Sequence, residues 1–243
     1  MTTIENNLGQ IHARIAATCA SASRPVTSVQ LLAVSKTFGA DAVREAVLAG
    51  QRSFGENYIQ EAVDKIAAVR AMALPGGDAL QWHCIGPIQS NKTRLVAENF
   101  DWAQTVDRLK IAERLSAQRP AGMAPLNVCI QVNVDGGETK SGVMPQDALA
   151  LAEAIAKLPH LVLRGIMSIP DDAPGFEAQY AVHKKAAAIF ELIKVSGLPG
   201  LAQFDTLSMG MTGDLEAAVA AGSTMVRVGS GVFGRRTYCT PTP

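Results

Sequence analysis

Apolar residues in this chain recur with two alternating periods. Ile4, Leu8, Ile11 and Ile15 repeat at helical spacing, which predicts an amphipathic helix ahead of any strand. Beyond the Pro25 region, a strand-like run over about 29 to 35 carries Leu31-Leu32-Ala33-Val34-Ser35 and ends at Lys36. Seven further runs read as strands: Ser53-Phe54-Gly55, Trp82-His83-Cys84-Ile85, Trp102-Ala103-Gln104-Thr105, Val128-Cys129-Ile130-Gln131-Val132, Leu163-Arg164-Gly165-Ile166-Met167, Asp205-Thr206-Leu207-Ser208 and Met225-Val226-Arg227-Val228. Helical stripes lie between them, among them Ile59, Val63 and Ile66; Leu149, Ala152 and Ile155; Val182, Ala186, Ile189 and Ile193; and Leu215 with Val219. Asp107, Pro145 and Thr212 read as helix-start signals.

Eight strands alternating with helices in 243 residues is the arithmetic of a (β/α)8 TIM barrel, which puts the site at the C-terminal strand ends. Short gaps around the second and third strands leave an open doubly wound sheet as the alternative. No linker-like segment divides the chain, so it reads as one domain over 1–243. The loops at 135–142 and 170–175 are expected to be mobile, and 239–243 to be a loose tail.

Composition narrows the classes. A hydrophobic share of 48% with 18% charged residues is that of a globular protein with ample core. Lys plus Arg and Asp plus Glu balance at 22 each, so no global field recruits nucleic acid or an anionic membrane surface, and an anion has to be caught locally. Cys19, Cys84, Cys129 and Cys239 are scattered, which argues against zinc and against a disulfide framework. The first residues lack a secretion pattern, and no apolar run approaches the ~20 residues of a membrane span. A soluble cytoplasmic protein is expected.

Candidate chemistry clusters at the two ends of the chain. A lysine held where an apolar strand opens into a pocket is desolvated, which favours the neutral amine that condenses with aldehydes; Lys36 is in that position, although a solvated loop lysine has the same sequence signature. In the last strand, alternation turns Val226 and Val228 toward the helices and Arg227 into the barrel mouth, where its guanidinium needs either an internal ion pair or a ligand. Gly229-Ser230-Gly231 then offers unobstructed N–H groups and a hydroxyl, the means by which neutral donors hold a phosphate, and also the composition of a generic turn. Barrels commonly build phosphate sites after their seventh and eighth strands. Asp214 and Glu216 would repel a phosphate at the seventh, so Gly229 and Ser230 are favoured, with Ser208 contributing from the side. Asn57 is a candidate for a ring substituent or merely a turn residue, and His83 a candidate acid or base or a satisfied core histidine. Ser90-Asn91-Lys92 offers further donors or an exposed helix face. The lysine and the phosphate-binding loop together suggest pyridoxal phosphate.

Six segments, in order along almost the whole chain, carry a resemblance: Leu32-Ala33-Val34-Ser35-Lys36, Phe54-Gly55-Glu56-Asn57-Tyr58, Trp82-His83 with Ile85-Gly86-Pro87-Ile88-Gln89-Ser90-Asn91-Lys92, Lys140-Ser141-Gly142, Leu207-Ser208-Met209-Gly210-Met211 and Gly222-Ser223-Thr224-Met225-Val226-Arg227. Their combination resembles the YggS/PROSC family of pyridoxal phosphate homeostasis proteins. The resemblance implies an alanine-racemase-type barrel with pyridoxal 5'-phosphate joined to Lys36 as an internal aldimine. It also implies phosphate contacts around Ser208, Gly229 and Ser230, with Arg227 beside the pyridine nitrogen. Thr212 and Ser230 stand where the family often has serine and threonine, and both keep the hydroxyl.

Two functions of different class share such a site. One is a racemase or decarboxylase; the other is a protein that holds and delivers pyridoxal phosphate without amino-acid turnover. A racemase of this fold resembles a barrel followed by a β-domain, and the chain ends just after the barrel, which favours the carrier. A Schiff-base aldolase fits less well, since its lysine is expected later in the barrel and the sixth strand ends Ile166-Met167-Ser168. Lys140 is a rival amine, with a solvated role expected from its Gly-rich loop. The expected partners are pyridoxal phosphate and, as transient recipients, apo forms of enzymes that depend on it; a monomer is expected.

Overall fold

The long apolar stripe at the start of the chain forms helix α1, Thr3–Ser21, in a computed structural model that describes residues 2–137 and 140–234. Strands and helices then alternate: β1 (Gln30–Val34), α2 (Ala40–Leu48), β2 (Ser53–Glu56), α3 (Ile59–Ala71), β3 (Gln81–Cys84), α4 (Thr93–Asn99), β4 (Trp102–Val106) and α5 (Leu109–Gln118). The second half continues with β5 (Leu126–Gln131), α6 (Ala148–Ala156), β6 (Leu161–Met167), α7 (Gly175–Lys194), β7 (Thr206–Ser208), α8 (Leu215–Ala220), β8 (Met225–Val228) and α9 (Ser230–Phe233). All neighbouring strands are parallel, and β8 pairs with β1 from Gln30↔Met225 to Ala33↔Val228, closing an eight-stranded (β/α)8 barrel. The open-sheet alternative is thereby excluded.

Alternation along each strand separates two environments. Leu31, Ala33, Phe54, Val226 and Val228 join the helix stripes in the main core between barrel and helices. Leu32, Val34, Ile85 and Met225 form a separate cluster. Helix α9 is a single turn, and the α1 stripe packs beside it, against α2, α8 and α9. Asn7 Nδ2 donates to the Val232 carbonyl at 2.9 Å and Arg14 pairs with Glu216 at 2.7 Å, which ties α1 to both ends of that seam.

Two expected helix starts differ. Arg108, not Asp107, occupies the cap of α5, and Asp107 pairs with it at 2.7 Å. Asp214, not Thr212, stands at the N-cap position of α8, and its side chain makes no capping hydrogen bond. The Asp214 carboxylate is recruited instead by the Met211 N–H at 2.5 Å and by His183 Nε2 at 2.9 Å, so it props the loop after β7. Among the described residues no helix is long and apolar enough to cross a membrane, and no group of His, Cys, Asp and Glu is arranged to hold a metal. Cys19, Cys84 and Cys129 are free and buried; Cys239 and the expected loose tail lie outside the described residues.

Candidate cofactor site

The C-terminal strand ends surround a cavity of about 560 Å³, within the range of small-molecule sites. Lys36 reaches it from the turn after β1, Asn57 from just beyond β2, Arg227 from β8, and Gly229 with Ser230 from the turn that opens α9. Five residues singled out from sequence thus share one cavity wall. Among the described lining residues, Lys36 and Arg227 are the only titratable side chains. A smaller compartment of about 230 Å³ opens beside it, shares Asn57, Ile85 and Ile169 with it, and is lined by Lys140.

Local sequence explains these positions. Gly86 lets the chain after β3 press against the backbone of Asn57, since a Cβ there would overlap it. Thr105 Oγ1 donates to the Gly86 carbonyl at 2.6 Å and locks that contact. Asn57 Oδ1 is buried and takes no hydrogen bond, an unused acceptor at the cavity wall. Gly229 borders Val34 of β1, where a Cβ would come within 3.4 Å of the Val34 carbonyl.

Ser208 lies elsewhere. It is fully buried beneath the cavity and is not part of its lining. Arginine can only donate, so Arg227 Nη1 gives its proton to Ser208 Oγ at 2.9 Å, and Ser208 donates in turn to Gln104 Oε1 at 2.7 Å. Arg227 Nη2 donates to the Ser168 carbonyl at 2.8 Å. With its oxygen so engaged, Gln104 presents Nε2 to His83 Nδ1 at 2.9 Å, which fixes His83 as acceptor there. Burial, with Arg164 nearby, pushes His83 down to about 3, so it is neutral near pH 7. His83 lies in the barrel interior and lines neither compartment, and its buried Nε2 has no hydrogen-bond partner, so it is a core histidine that is only half satisfied. Burial also lowers Arg227 to about 10, which leaves it charged near neutrality.

Lys140 stays partly exposed, as its loop suggests, and is ion-paired there. Its ammonium pairs with Asp171 at 2.6 Å and Asp135 at 3.2 Å. Partial burial opposes its charge, but hydrogen bonds to the two carboxylates outweigh this and hold its pKa above the ordinary lysine value. A lysine kept protonated is a poor nucleophile. Ser90–Lys92 form a 3₁₀ turn leading into α4 and line neither compartment. Sequence reading missed Gln104 and Ser168 as supports of Arg227; a buried serine and a strand glutamine carry no mark of such a role.

Residues 7–237 match the family model described as alanine racemase, N-terminal domain. A relative from Pseudomonas aeruginosa, a pyridoxal phosphate homeostasis protein, is 53% identical over 241 residues, with 99% of each chain covered. This chain belongs to the family of pyridoxal phosphate homeostasis proteins. A second member, from Vibrio cholerae, is 52% identical over 240 residues, with 98% of each chain covered. Among solved structures of similar shape is PipY of Synechococcus elongatus with PLP bound. It has a TM-score of 0.76 and 38% identity, covering 90% of this chain and 100% of that one.

Proposed function

We propose that this protein holds pyridoxal 5'-phosphate on Lys36 and serves its intracellular homeostasis or delivery, without amino-acid turnover. The observation that carries the reading is the convergence of Lys36, Asn57, Arg227, Gly229 and Ser230 on one cavity from the ends of three strands, β1, β2 and β8. Bound pyridoxal phosphate supplies an aldehyde, which condenses with an amine by forming one C=N bond and releasing one water.

The chain's own residues divide the task of binding. Lys36, half-buried after β1, supplies the amine. The turn at Gly229 and Ser230 holds the phosphate, because the first N–H groups of a helical turn have no intrahelical acceptor. Asn57 contacts a ring substituent through its unused side-chain oxygen or its amide N–H groups. Arg227 is assigned to the pyridine nitrogen. A charged guanidinium there disfavours protonation of that nitrogen and weakens the ring as an electron sink. Ser208, placed beneath the cavity, acts by orienting Arg227 instead of touching phosphate.

The non-catalytic part is supported by the wall chemistry. Racemisation needs a proton-transfer group on each face of the α-carbon, and Lys36 is the one titratable lining side chain, among those described, suited to that work. The alternative of a racemase or decarboxylase is favoured by the family model, which carries the racemase name. Three buried free thiols suit a reducing, cytoplasmic setting. The proposed carrier is a monomer that meets apo forms of pyridoxal phosphate enzymes transiently.

Borohydride reduction of the protein mixed with pyridoxal phosphate, followed by peptide mapping, is expected to place the pyridoxyl group on Lys36. Lys36→Ala is expected to lower the amount trapped; an undiminished adduct on another lysine would overturn the assignment. Incubation with a panel of L- and D-amino acids is expected to show no turnover, and robust turnover of any of them would make the protein an enzyme. Gel filtration checks the monomer.

A further inference from the structure

A buried charge cluster lies directly beneath Lys36. Lys65, on α3, has a side chain only 4% exposed. An ammonium has three N–H donors, and Lys65 spends one each on the Ser35 carbonyl at 2.8 Å, Glu56 Oε1 at 2.7 Å and Glu61 Oε1 at 3.0 Å. Glu56, fully buried at the end of β2, also accepts from the Ser35 hydroxyl at 2.6 Å. Glu61 Oε1 accepts from the Thr37 N–H at 2.8 Å.

These contacts grip the backbone on both sides of Lys36. The Ser35 carbonyl belongs to the peptide group before it, and the Thr37 N–H to the peptide group after it. Each peptide group is planar, so holding both restrains the two backbone dihedrals of Lys36 and with them the direction in which its Cα–Cβ bond leaves the backbone. Thr37 has φ +70°, a region costly for a β-branched residue, and such a conformation persists only where surrounding contacts over-determine it. A buried ion pair stabilises a fold poorly, because desolvation offsets the attraction. A fixed geometry is what an apolar pair in its place would lack.

We propose that Lys65, Glu56 and Glu61 are positioning residues that pre-set Lys36 for covalent attachment of its ligand by clamping the two peptide groups that flank it. The proposal rests on the reading of Lys36 as the amine that takes up the aldehyde.

Two ligands separate the clamp from the phosphate cradle. Pyridoxal phosphate uses the amine as well as the ring and phosphate contacts; pyridoxine 5'-phosphate has an alcohol in place of the aldehyde and keeps the ring and phosphate contacts without the covalent bond. Glu61 is the half-exposed member of the cluster, so Glu61→Ala is the variant least disruptive to folding. It is expected to weaken pyridoxal phosphate binding roughly tenfold, in keeping with loss of a charge-assisted hydrogen bond, and to leave pyridoxine 5'-phosphate within about twofold. Glu61→Gln keeps an oxygen for the Thr37 N–H and is expected to recover most of the loss. Lys65→Met should act in the same direction; if it does not fold, Glu61→Ala still decides. Equal weakening of both ligands, or unchanged pyridoxal phosphate binding, overturns the proposal. Absence of a Lys36 adduct in the native chain would instead overturn the reading beneath it, whereas a native adduct with Glu61→Ala indistinguishable from native overturns the clamp alone.

Discussion

Replacing Ser208 by alanine distinguishes a phosphate ligand from a buried support. The hydroxyl accepts from Arg227 Nη1 at 2.9 Å and donates to Gln104 Oε1 at 2.7 Å, at a position with no solvent exposure. Alanine leaves a charged donor and a neutral acceptor unpaired inside the barrel. A hydrogen bond to a charged group contributes about 1.5–3 kcal/mol and a neutral one about 0.5–1.5 kcal/mol, so a loss of about 2–4.5 kcal/mol is expected. Urea unfolding of the ligand-free protein measures it, as a fall in midpoint of about 1–2 M for a slope near 2 kcal/mol/M. Binding of inorganic phosphate, which reports on the cradle without the ring contacts, is expected to stay within about twofold. A serine on the cavity wall would behave the other way. A change below about 0.5 kcal/mol, the size of an ordinary surface substitution, together with a clear loss of the phosphate ligand would refute the placement of Ser208 under Arg227.

Further consequences concern folding and pH. Gly165 sits where β6 carries one extra residue relative to β5, and a Cβ there would collide with the Thr206 carbonyl. Gly165→Ala is expected to cost at least about 2 kcal/mol in thermal or urea unfolding, as overpacking against backbone does; a neutral effect would show that the strand relaxes freely. Asp214 titrates below the ordinary aspartate value: burial pushes it up, but hydrogen bonds from His183 and the Met211 N–H outweigh burial. With its folded pKa below the unfolded one, its contribution is complete above the unfolded value near ~4 and is lost as pH falls through the folded value. Asp214→Asn is expected to flatten this part of the acid limb of stability, and parallel limbs for native and variant would contradict it.

The alternation of periods along the chain made the barrel legible, because strand and helix spacing are local properties and each apolar face has to be buried. All eight strands lie where the pattern put them, within one or two residues at their ends. Lys36, Arg227 and the Gly229-Ser230 turn could also be read as residue types at strand ends, where a barrel gathers its chemistry. Helix caps were less legible: Asp107 and Thr212 have capping side chains, but pairing with Arg108 and the recruitment of Asp214 by His183 decided the outcome.

What residue types and spacing determined by themselves was therefore the architecture and the cavity's main lining. Tertiary structure alone decided which polar groups meet beneath it. Lys65 stands beside Ile66 in an ordinary helical segment, and its burial depends on a carbonyl 30 residues away in sequence. Ser208 reached its role through Gln104, 104 residues distant and on another strand. A hydrogen bond holds only over a few tenths of an ångström and a narrow range of angles. Such partners are set by strand register and barrel closure, which local periodicity does not encode.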